Sequence, residues 1–93
     1  MSLNLEDYNK LNIFFDGNQD IISLISAKDY FSLSNELIKS LDGTLDGVND
    51  LEQKSTKWID FIKNSGISKE VKDVITKSIC VAFSRILINT AKK

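Results

Sequence analysis

Asp42, Asp46, Asp50 and Glu52 are the residues whose types and spacing come nearest to chemistry. With Asp42 at position 1 of a twelve-residue calcium loop, Asp46 falls at 5, Gly47 at 6 and Asp50 at 9. Chelation needs oxygens at alternate positions and a bidentate carboxylate at 12. Position 12 is Gln53, a neutral amide, and Glu52 comes one place early. Position 8, an apolar anchor in such loops, is Asn49. The ligand that dominates affinity is missing, so no metal or other cofactor is expected. Asp46 and Asp50 have the i, i+4 spacing of a carboxylate pair on one helix face. An acidic face near the positive start of a helix accounts for them as well as an acid–base pair does. The four carboxylates best suit partner binding: an acidic patch that steers a basic protein.

Other catalytic chemistry lacks its parts. The chain has no histidine, so neither a Cys–His nor a Ser–His pair can form within it. One cysteine and no histidine cannot make a zinc site. No glycine-rich phosphate cradle is present. Cys80 is unpaired and lies in the apolar run Ile79–Ile88, which predicts a small buried core residue. The expectation is a protein that binds and does not catalyse.

A second segment invites a nucleic-acid reading. Gly66-Ile67-Ser68-Lys69, between two predicted helices, resembles the turn of many helix-turn-helix proteins. The position before the glycine, often apolar in that family, is Ser65. The apolar position expected in the second helix falls on Lys72, with Val71 one place early. Glu70 and Asp73 would stand near phosphates and repel them, and a single arginine is available to read guanine. A regulator built on residues 61–77 is therefore the alternative to protein binding, not the first reading.

Charge is unevenly distributed. Residues 1–52 carry ten acidic and three basic side chains; residues 53–93 carry three and nine. Those totals, −7 and +6, leave a net charge of −1. Either the two halves pair within the fold or the surface is shaped for a charged partner.

The elements that must position these groups read as helices throughout. Ninety-three residues without proline suit a single domain over 1–93. Asn4 caps a first helix carrying the stripe Leu5, Tyr8, Leu11, Phe14 and Phe15, stopped at Asp16-Gly17. A short helix follows from Asn18 to Ile25. Ser26, with Asp29 three residues on, predicts the next start, and its stripe is Tyr30, Leu33, Leu37 and Leu41. One helix is expected from about Thr44 to Asn64, with Val48, Leu51, Ser55, Trp58 and Ile62 on a heptad-like seam. Trp58 reads as a core anchor on that seam. Ser68 caps the last helix, which runs to about Ala91.

The fold expected is all-α: a compact bundle of four to five helices, mostly antiparallel, with the C-terminal helix most buried. Eight of the ten residues Ile79–Ile88 are apolar, so that helix should be buried on all sides or lend a spare face to a second copy in a homo-oligomer. That run is too short for a membrane span of ~20 residues, and no secretory leader is visible, so the expected location is cytoplasmic. Eleven lysines against one arginine hint at a microbial source. The role these features suit is a small immunity, inhibitor or adaptor protein.

Overall fold

The computed structural model describes residues 3–41, 45 and 47–91, with side chains as far as Ile88. Six helices are seen among them: α1 (Leu5–Phe14), α2 (Gln19–Ala27), α3 (Tyr30–Lys39), α4 (Val48–Lys54), α5 (Thr56–Asn64) and α6 (Lys69–Ala91). The fold is all-α.

Local chemistry sets the first boundaries. The Asn4 side chain accepts the Asp7 N–H at 2.7 Å, and Glu6 and Asp7 occupy the positive first turn of α1. Asp16 (φ 53°) and Gly17 (φ 74°) then take left-handed conformations, and the Gly17 N–H returns to the Asn12 carbonyl at 2.8 Å. Asn18 caps α2 by accepting from Asp20 and Ile21 at 3.1 and 3.3 Å.

The junction of α2 and α3 differs from expectation. Ser26 lies inside α2, and the cap of α3 is Asp29, which accepts the Ser32 N–H at 3.1 Å. Lys28 is left-handed (φ 57°, ψ 34°); its N–H reaches the Ile25 carbonyl and that of Asp29 reaches Leu24, both at 3.2 Å. These two bonds make the turn that commonly ends helices on glycine. Asp29 therefore closes α2 with its backbone and opens α3 with its side chain. Lysine at a left-handed position is strained by ~1–2 kcal/mol. Glycine relieves the strain but gains freedom in the unfolded chain. Lys28→Gly should thus raise the unfolding free energy by about 0.5–1 kcal/mol in urea titration. A decrease would show that the lysine side chain, not backbone freedom, governs this turn.

The helix expected over 44–64 is two helices, broken at Ser55; Thr44 lies outside the described residues. Ser55 and Thr56 both turn their hydroxyls back onto the Glu52 carbonyl, at 3.0 and 3.3 Å. Trp58 N–H donates to the Ser55 carbonyl at 3.0 Å, a tighter turn than α-helical spacing gives. Back-bonding of this kind competes with the helical ladder and bends it. The seam survives the break, since Leu51, Ser55 and Trp58 are all buried.

The last helix is the central element. It packs against α2, α3, α4 and α5, most extensively against α3. Val71, Val74, Ile75, Ser78, Ile79 and Ala82 are buried along one face of it, more than any other helix contributes. Twenty-three residues span ~34 Å, most of the 44 Å long axis of the molecule. The shorter helices cover one side of it and leave the other open. Cys80 is consequently exposed, not a core residue as its apolar neighbours suggest. It stands two residues from both Ser78 and Ala82, on the opposite side of the helix.

Candidate functional site

Of the acidic segment, Asp42 and Asp46 lie outside the described residues. Asp50 is half-buried on α4 and pairs with Lys54 one turn on, at 3.3 Å. Glu52 is exposed, but stands two residues from Asp50 and so faces another side of the helix. Among the described residues no group of His, Cys, Asp and Glu could hold a metal ion.

The ion pairs seen among the described residues are local. Glu6–Lys10 (2.9 Å), Glu36–Lys39 (3.5 Å), Asp50–Lys54 (3.3 Å) and Lys69–Asp73 (3.8 Å) each lie within one helix. Such surface pairs contribute only ~0–1 kcal/mol each.

The α5–α6 turn forms much as its sequence suggests. Gly66 is left-handed (φ 75°), and Ser68 precedes the first residue of α6. Its anchor comes from elsewhere. Asp7 of α1 is only 4% exposed, and its Oδ1 accepts the Ser68 N–H at 3.1 Å. One carboxylate thus sits at the positive ends of α1 and α6 together, which compensates its burial. Beyond that turn, Lys69, Glu70 and Asp73 are all exposed, so the face that would meet phosphates carries both signs.

Trp58 is 1% exposed and belongs to the core. Tyr8 and Tyr30 are half-buried against that core. Leu5, expected on the buried stripe of α1, is exposed.

The surface feature that stands out lies where α3 meets the second half of α6. Phe31, Leu87 and Ile88 are 59%, 55% and 54% exposed. Arg85, the chain's one arginine, stands one turn before Ile88 on α6. Its guanidinium lies 4.6 Å from the Phe31 ring centroid, and its Nη1 donates to Ser34 Oγ at 3.5 Å. One residue back on α3, the Tyr30 ring receives Lys77 Nζ at 5.4 Å. Ile88 follows Arg85 by about one turn and so borders it, whereas Leu87, two residues on from Arg85, sits farther round the open side of α6.

The sequence flagged the run that contains Arg85, Leu87 and Ile88, but not Phe31 as a neighbour of Arg85. The available signals were an aromatic off the stripe of its own helix and a lone arginine among lysines. Comparison with protein-family models, with curated proteins and with solved structures finds nothing that matches this chain.

Proposed function

We propose that this chain is a non-catalytic protein-binding domain whose contact surface is the α3/α6 end. One observation carries the reading: Phe31 and Ile88, each more than half exposed, flank a pre-ordered arginine, and Leu87, also more than half exposed, follows on the open side of α6. Their exposed area is on the order of 300 Å², the scale of the largest, and often functional, patch on a monomer. Aromatic residues and arginine are also enriched at the centres of protein interfaces. Within this class, the role we favour is a small inhibitor, immunity or adaptor protein. The acidic segment is the rival surface, suited to a basic partner. The Asp50–Lys54 pair offsets one of its four charges, so we place the contact at the apolar end.

The experiment that tests this reading places a photocrosslinking amino acid at position 87 and, for comparison, at position 13, within cells that produce the chain. Ile13 is 80% exposed, so it controls for apolar exposure alone. In the same cells, changing Asp42, Asp46, Asp50 and Glu52 to lysine should leave the crosslink from position 87 in place. Its loss would move the contact to the acidic segment.

A further inference from the structure

We infer that the α3/α6 end takes an amphipathic segment of a partner protein whose apolar stripe is bordered by carboxylates; this rests on the protein-binding reading above. The first support is charge. On the second half of α6 the charged side chain among the described residues is Arg85, and the carboxylate of Glu36 on α3 is paired with Lys39 at 3.5 Å. Asp29, just ahead of Tyr30, turns its carboxylate onto the Ser32 N–H of its own helix. The surface at Phe31 and Ile88 therefore offers apolar contact beside one cation, Arg85.

The second support is the geometry of Arg85. A guanidinium presents five N–H donors in a planar fork that fits a carboxylate in two bonds. The bond to Ser34 uses one donor, and stacking on Phe31 orients the plane before any partner arrives. Less conformational entropy is then lost when a carboxylate binds. Lysine at the same place would be a mobile point charge. Nucleic acid is a poorer fit to the same residues. Stacked bases need open aromatic faces, whereas Arg85 and Lys77 occupy a face of Phe31 and of Tyr30.

The test uses the full chain and two labelled synthetic helical peptides with the same leucine stripe, one bordered by glutamates and the other by lysines. Fluorescence anisotropy should show the glutamate-bordered peptide binding at least about tenfold more tightly. Arg85→Gln should reduce that preference to about threefold or less, and Arg85→Lys should restore part of it. Leu87→Ser with Ile88→Ser should abolish binding of both peptides. Circular dichroism must show each variant folded.

Equal affinity, a preference for the lysine-bordered peptide, or no binding of either overturns the inferred partner chemistry. Tighter binding to phosphatidylserine vesicles or to a single-stranded oligonucleotide overturns it as well. None of these outcomes touches the crosslinking comparison of positions 87 and 13, which judges the protein-binding reading separately.

Discussion

Trp58→Ala should lower the unfolding free energy by about 3–5 kcal/mol, the usual cost of emptying a large buried aromatic site. Trp58 is 1% exposed and follows the Ser55 break by one turn, on the seam it shares with Leu51. A 93-residue domain has a total stability of only ~5–14 kcal/mol, so this one change removes a large share of it. Trp58→Phe keeps part of the buried volume and should cost clearly less. Urea unfolding followed by far-UV circular dichroism makes the comparison, because the variants lose the only tryptophan. A loss below about 1 kcal/mol for the alanine variant would mean that the broken seam over 48–64 is not part of the core.

Asp7→Ala should be the next most damaging change, at about 1–3 kcal/mol. The substitution removes the acceptor for the Ser68 N–H and leaves that donor in a half-buried turn. It also removes the negative charge from the positive ends of α1 and α6. Asp7→Asn keeps an oxygen that can accept the bond but drops the charge, so it separates the two contributions. We expect asparagine to recover at least half of the alanine loss. Native-state hydrogen exchange gives a local readout: the Ser68 amide should be protected in the parent chain and in Asp7→Asn, and fast in Asp7→Ala. An alanine variant within ~0.5 kcal/mol of the parent, with Ser68 still protected, would remove Asp7 from this role.

These two residues also show what the sequence could and could not reveal. The helix start at Asn4 was legible because a cap acts on backbone groups two or three residues away. Trp58 was legible because a heptad-like spacing places it on a buried seam. The start of α3 slipped from Ser26 to Asp29 because a left-handed lysine, without the glycine signal, ends α2. The break at Ser55 was hidden for another reason: two hydroxyls folding back on one carbonyl leave the apolar spacing intact.

Contacts between distant residues were the least legible. Asp7 meets Ser68 across 61 positions, and Arg85 meets Ser34 across 51. No local pattern announces either. The apolar run 79–88 predicted either burial on every side or a spare face for a second copy; four of the shorter helices cover only one face of α6 and leave Cys80, Leu87 and Ile88 exposed. The proposed site was thus half visible, as a run too apolar for its polar partners, and half hidden in the packing of α3.

Site-specific photocrosslinking from position 87 addresses the protein-binding claim most directly. The account predicts a heterologous protein crosslinked from position 87 and not from position 13. Phe31→Ser with Ile88→Ser should abolish that crosslink while leaving the unfolding midpoint of the chain unchanged. Equal capture from positions 87 and 13, or no capture from position 87, would contradict it.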